Sequence, residues 1–199
     1  MNLSTLREGT DVLFARHETE PSHPLHVSKL ALDLFDSLAA WHALGERERA
    51  LLESAALLHD IGWAVTAPGG AGHHKASARL IREFPWTGFE LASVLELAAI
   101  ARYHRKALPA AQHRTYAALD ESGQRRVRRL GGILRVADGL DRRHVQAVTR
   151  VCVEQRLGTW VLWIQSPQDV APEIAAAKSK ADLLTSEAPV ALEFAPGLA

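Results

Sequence analysis

Several of the ten histidines in this chain fall where a helix should carry an apolar side chain. In SHPLHVSKLALDLFDSL, Val27, Leu30, Leu34, Leu38 and then Trp41 recur at helical spacing, and His23 lies one turn before Val27 on the same stripe. In ERERALLESAALLHDIG, His59 and Asp60 follow Ala55 and Ala56 by four residues each. His73 shares a line with Ser77, Leu80 and Phe84, His104 ends the line through Leu97 and Ala101, and Asp138 follows Leu130 and Leu134. An ionisable group on an apolar face needs a partner, because a buried carboxylate without one changes its pKa or destabilises the fold. Two arrangements meet that cost. In one, each histidine is satisfied by a local hydrogen bond and each aspartate pairs with one of the chain's many arginines. In the other, four histidines and two carboxylates converge inside a helical bundle on metal ions. Imidazole and carboxylate donors without thiolate suit iron, manganese, zinc, nickel or magnesium, and four imidazoles favour a transition metal.

The elements that must position these residues are helical. A polar lead-in over 1–22 contains one amphipathic stretch, 3–14. Helices are expected over 23–42, with Ser22 as its cap and Pro24 in the first turn, and over 46–61, stopped at Gly62. Others are expected over 73–84, 88–104 and 121–141. TAPGGAG at 66–72 reads as an irregular loop, and 106–119 as a loop or short helix. Beyond 147 the period changes: Val151, Val153 and Gln155, then Trp160, Leu162 and Ile164, indicate two strands joined by a turn at 157–159. A helix over 170–184 and a strand near 190–194 follow. The fold class expected is mainly α, a helical bundle over 1–147, metal-binding in the second arrangement, with a small C-terminal α/β module over 148–199.

Composition excludes several functions. With 47% hydrophobic residues and 23 basic against 23 acidic side chains, the chain can bury enough surface to fold. It lacks the basic excess with which a non-specific nucleic-acid binder displaces counterions, so no duplex partner is expected. The single cysteine, Cys152, permits no intrachain disulfide or thiolate-rich zinc site, fits a reducing compartment and reads as a structural thiol. MNLSTLREGT lacks the plan of a signal peptide, and no uncharged apolar run approaches the ~18 residues of a membrane span. A cytoplasmic protein with no membrane partner is expected, and the tail offers a surface for a homodimer.

The AALLHDIG segment resembles the signature of the HD-domain superfamily of metal-dependent phosphohydrolases. The resemblance extends, in superfamily order, to HPLHVSKLALDLF, GHHKASARLI, IARYHRK and LRVADGLDRRH. More closely, residues 20–195 resemble the C-terminal part of exopolyphosphatase and guanosine pentaphosphatase proteins, the Ppx/GppA family, including RYHRK, LRVADGLD and the α/β tail. The ATPase-like N-terminal phosphatase domain of those enzymes has no counterpart in these 199 residues. Ala76 also stands where relatives often have a second histidine after HHK.

The resemblance implies that His23, His59, Asp60 and Asp138 hold one divalent metal, and that Asp60 bridges to a second held by His73 and His104. Two such ions share a water, acidify it and aim it at phosphorus. Asp60 is then the central catalytic residue, with Lys75 and Arg105 beside it. His74 is the alternative to His73, pointing roughly 100° round the helix. Lys75, Arg102, Arg105, Lys106 and Arg142, close in sequence to the ligands, are expected to grip a small phosphorylated substrate, a nucleotide among the candidates. The implied function is a metal-dependent phosphohydrolase acting on a phosphomonoester or phosphodiester. Two rivals are a non-catalytic regulatory or nucleotide-sensing module and a di-iron HD-type oxygenase. His17, His42, His113 and His144 have no matched position and read as surface or boundary residues, as does the partly exposed His26. Residues 124–129 read as the wet side of a helix, Arg142 and Arg143 also suit a solvated basic face, and Trp160 and Trp163 read as packing.

Overall fold

Val27, Leu30, Leu34 and Leu38 are fully buried, as are Leu51, Leu58, Leu97, Leu130 and Leu134, so the apolar stripes of separate helices meet in one core. In the computed structural model, which describes residues 2–188 and 190–197, α1 (Leu3–His17) leads into α2 (Ser22–Ser37), α3 (Ala39–His42) and α4 (Glu46–Leu58). A 3-10 turn (Ile61–Val65) and an irregular loop precede α5 (His73–Glu83), which is followed by α6 (Leu91–Arg102), α7 (Arg114–Ala117) and α8 (Glu121–Gly139). The tail comprises β1 (Arg150–Arg156), β2 (Thr159–Gln165), α9 (Ala171–Lys180), α10 (Asp182–Glu187) and β3 (Ala191–Pro196). The fold is mainly α with a small three-stranded sheet behind it. Among the described residues, no helix is long and apolar enough to cross a membrane.

The helices end earlier than periodicity suggests. Pro21, not Ser22, occupies the cap of α2, and the expected 23–42 helix breaks at Leu38 into α2 and α3. The α4 helix stops at Leu58, leaving Asp60 outside at φ −110°, ψ 0°. The α6 helix stops at Arg102, two residues short of His104. The stops share a cause. A helix end leaves carbonyls without partners, and the His59 and His104 rings turn back to bond Ala56 and Ala101, each at 2.7 Å.

In the sheet, β1 and β2 pair antiparallel with Val151 opposite Ile164 and Val153 opposite Leu162. β3 lies parallel to β2, a pairing that needs a crossover, which α9 and α10 supply. The single helix expected over 170–184 is thus two, divided at Ala181. Trp160 is buried against Trp41, as packing, with ring centroids 5.2 Å apart.

The α8 helix is the hub, touching α2, α4 and α6 on one side and α9 and α10 on the other. Its glycines make the second contact possible: a Cβ on Gly139 would lie 2.6 Å from the Ala177 Cα. The 124–129 segment is not merely a wet face, because its guanidiniums find fixed partners. Arg126 binds the buried Glu96, which Arg47 also reaches, Arg128 bonds Glu187 and the Tyr116 hydroxyl, and Arg129 donates to the His42 carbonyl. Arg143 is likewise committed, to Glu173.

Gly62 sits where the turn after Asp60 meets α5, its N–H donating to Ser77 Oγ at 2.9 Å. A Cβ there would lie 2.2 Å from the His73 carbonyl and 2.5 Å from the Ser77 nitrogen, both backbone atoms. Gly62→Ala is therefore expected to cost about 1–3 kcal/mol by overpacking, read as a lowered urea midpoint. An unchanged midpoint would show that the turn and α5 separate freely.

Candidate metal centre

His23 enters from the first turn of α2, and His59 and Asp60 from the end of α4. His73 opens α5, His104 lies just past α6, and Asp138 sits in the last turn of α8. All four imidazoles are at least 97% buried and Asp138 is 8% exposed. Their directions are set from behind. The Nδ1 atoms of His59, His73 and His104 donate to the carbonyls of Ala56, Gly70 and Ala101, each three residues earlier, at 2.7 to 2.8 Å. His23 Nδ1 bonds instead to Asp141 Oδ2, at 2.9 Å.

A carbonyl only accepts, so the Nδ1 of each of the last three rings carries the proton, and on a neutral ring Nε2 is then a lone pair. Those lone pairs converge. Asp60 Oδ1 lies 3.1 Å from His73 Nε2 and 3.5 Å from His104 Nε2, and the two Nε2 atoms are 3.4 Å apart. Asp60 Oδ2 faces the other way, 3.5 Å from His59 Nε2 and 4.0 Å from His23 Nε2. Asp138 Oδ1 completes that side, 3.5 Å from His23 Nε2 and 4.0 Å from His59 Nε2. His23 Nε2, His59 Nε2 and Asp60 Oδ1 are buried without hydrogen-bond partners. Donor atoms of His23, His59 and Asp138 lie within 4.8 Å of one another, as do those of His59, Asp60 and His104. These His/Asp clusters have the donor chemistry and spacing to bind a metal.

Charge is arranged to match. Burial, reinforced by His59, drives the His104 ring down to about 3 and keeps it neutral. Burial opposes ionisation of Asp138 too, but the Lys180 ammonium beside it holds its carboxyl well below the usual range. His23 behaves oppositely: burial disfavours its proton, yet hydrogen bonds with Asp138 and Asp141 raise it to about 9.

Two cavities open on Asp60. One, of about 320 Å³, is walled by Glu18, Glu20, His23, Trp63 and His144. The other, of about 390 Å³, presents Arg105, Lys106, Arg135, Arg142 and Lys180 beside His73, His104 and Asp138. Trp63 and His144 line both; Trp63 stacks on His73 at 4.6 Å between centroids and His144 on His23 at 3.7 Å. The α-helical chain carrying this centre also matches a known family: residues 7–179 fit the one described as Ppx/GppA phosphatase, domain III. The chain belongs to that family. No curated protein matches it.

Within this Ppx/GppA domain, His23, His59, Asp60, His73, His104 and Asp138 come together, while His74 points elsewhere, at least 5.9 Å from the His73 and His104 ring centroids. Burial, with the cations beside it, lowers the His74 ring to about 4. Of the cations, Arg105 donates to His73 Nε2 at 3.3 Å, and Arg142 and Lys106 line the basic cavity. Lys75 and Arg102 do not: with His74 they line a separate cavity of about 370 Å³, Lys75 from α5 and Arg102 from the end of α6. One histidine read as a surface or boundary residue is not: His42 is buried, donating to Phe35 O and accepting from Leu44 N. His144 is exposed, as expected, and its ring stacks on His23.

Sequence reading missed Asp141, Trp63, Arg135 and Lys180. Asp141 had a signal, its position three residues after Asp138. Lys180 reaches Asp138 from the tail, over a sequence distance that no local pattern carries. Asp141→Ala removes the acceptor that orients His23 and is expected to weaken divalent-metal binding 10- to 100-fold, in keeping with such supporting bonds elsewhere. Competition with a chromogenic chelator measures this, with unchanged helical circular dichroism as the control. Undiminished affinity would remove His23 from the ligand set.

Proposed function

We propose that this chain is a metal-dependent phosphohydrolase of the HD type, acting on a phosphomonoester or phosphodiester, nucleotides included. The observation that carries the reading is the cluster at Asp60, in which the Nε2 lone pairs of the buried His59, His73 and His104 face both carboxylate oxygens at 3.1 to 3.5 Å. A divalent cation fits that donor set. Asp60 Oδ2, with His23, His59 and Asp138 Oδ1, would hold one ion. Asp60 Oδ1, with His73 and His104, would hold a second. Such ions supply an acidified water and stabilise charge on a departing oxygen.

The rest is done by the chain itself. Arg105, Lys106 and Arg142 bind and orient the phosphate in the basic cavity, arginine by paired N–H groups. Arg135, tied to Asp182, donates to the carbonyls of Tyr103 and Lys106 and so fixes the segment carrying His104 and Arg105. Lys180 holds one oxygen of Asp138, leaving the other toward His23 and His59. Trp63 and His144 cover the His73 and His23 rings.

A second reading, a regulatory or nucleotide-sensing module, is favoured by the family match itself, which is to a third domain rather than a whole phosphatase. One screen separates the two. Aryl phosphomonoesters, phosphodiesters and nucleotides are offered with manganese, iron, nickel, zinc or magnesium. Turnover is expected with at least one, abolished by chelation and restored by metal. Because loss of a merely supporting bond costs 10- to 100-fold, Asp60→Ala is expected to reduce kcat by about 100-fold or more with the helices intact. Activity that survives both treatments overturns the metal mechanism, and a metal-loaded protein inert toward every substrate favours the sensor.

A further inference from the structure

The cavity that collects Lys75 and Arg102 is not lined by Asp60. It is walled by Gly72, His74, Lys75, Arg102, Tyr103, Lys106 and His113, and at about 370 Å³ it lies within the range of small-ligand sites. It contains three permanent cations and no carboxylate. Several guanidiniums elsewhere in the molecule are neutralised: Arg47 and Arg126 by Glu96, Arg128 by Glu187, Arg135 by Asp182, Arg143 by Glu173. Among the described residues none of Lys75, Arg102 and Lys106 has such a partner. Converging like charges repel, so an unpaired cluster in a concavity favours a multiply charged anion.

The backbone adds a second observation. Lys106 has φ +60°, a left-handed conformation uncommon outside glycine, and its carbonyl is held there by the buried Arg135. That posture puts Lys106 on the wall of this cavity and of the basic cavity at Asp60 alike. The floor is ordered too, since the Tyr103 hydroxyl and His113 Nδ1 share a hydrogen bond at 2.9 Å and Arg102 lies over the Tyr103 ring.

We propose that this cavity is a second phosphate-binding site, outside the metal centre, which takes a phosphoryl anion of two or more charges on Lys75, Arg102 and Lys106. The shared lysine makes two sources of that phosphate chemically equivalent: a distal phosphate of a molecule whose other end lies at Asp60, or a free phosphorylated effector. The site needs no metal, so it does not depend on the hydrolase reading.

Inorganic pyrophosphate is titrated by calorimetry into protein stripped of metal with chelator, at low ionic strength. Saturable binding is expected that weakens at least tenfold in the K75A/R102A double variant, persists in D60N, and declines as salt screens the exposed cations. No binding, or binding lost in D60N and unchanged in K75A/R102A, overturns the proposal. Thermal unfolding of the double variant checks the fold; since Lys75 is exposed and Arg102 half-buried, no large change is expected. If a variant is unstable, K75Q/R102Q, which removes the charge but keeps a polar side chain longer than alanine, gives the same reading. The source is then assigned with metal restored. A rise in KM of K75A/R102A for a diphosphate ester but not for an aryl monophosphate identifies a distal phosphate of the substrate. Pyrophosphate that alters monophosphate turnover without competing, an effect lost in the double variant, identifies a free effector. Failure of hydrolysis altogether would leave the calorimetric result intact.

Discussion

Lone pairs cannot be packed against lone pairs in a protein interior unless something positive stands between them. At Asp60 the rings of His59, His73 and His104 have spent their N–H groups on carbonyls behind them, and what they present forward is acceptor. A carboxylate faces those acceptors with both oxygens, at 3.1 to 3.5 Å. Protonation is a poor remedy for His104, because burial pushes its pKa to about 3. Buried unpartnered acceptors of this kind cost more than a typical hydrogen bond contributes, and a metal ion bound there would turn that cost into binding energy.

The scaffold can be understood as the means of keeping this arrangement from relaxing. Three helix or turn ends are stopped by the rings they present, so backbone and ligand orientation are one device. Gly62 lets the turn after Asp60 rest directly on α5, and the α8 glycines let α9 approach until Lys180 reaches Asp138. Arg135 ties the stretch after α6 to Asp182 at the start of α10. The C-terminal elements therefore contribute a charge and a brace to the centre as well as covering the bundle.

Much of this was legible because the cost of a buried charge is visible in a pattern. His23, His59, Asp60, His73, His104 and Asp138 each interrupt an apolar stripe, and the structure gathers all six. The change of period after residue 147 announced the strands equally well. What periodicity could not show was where each helix stops, since those stops depend on imidazole bonds to the backbone, nor which wall of a cavity a cation joins. Lys75 and Arg102 are near the ligands in sequence yet face another cavity, while His144, which interrupts no apolar stripe, lies on His23. Lys180 and Arg135 act through contacts over dozens of residues, which only the assembled fold brings about.

The central claim is that cations sit on Asp60. Diffraction from crystals soaked in manganese, recorded for anomalous signal at its absorption edge, tests it most directly. The account predicts density against Asp60 Oδ2 on the His23, His59 and Asp138 side, and against Oδ1 on the His73 and His104 side when the second position fills. Crystals in which manganese binds elsewhere, while the imidazoles stay turned toward an empty Asp60, would contradict it.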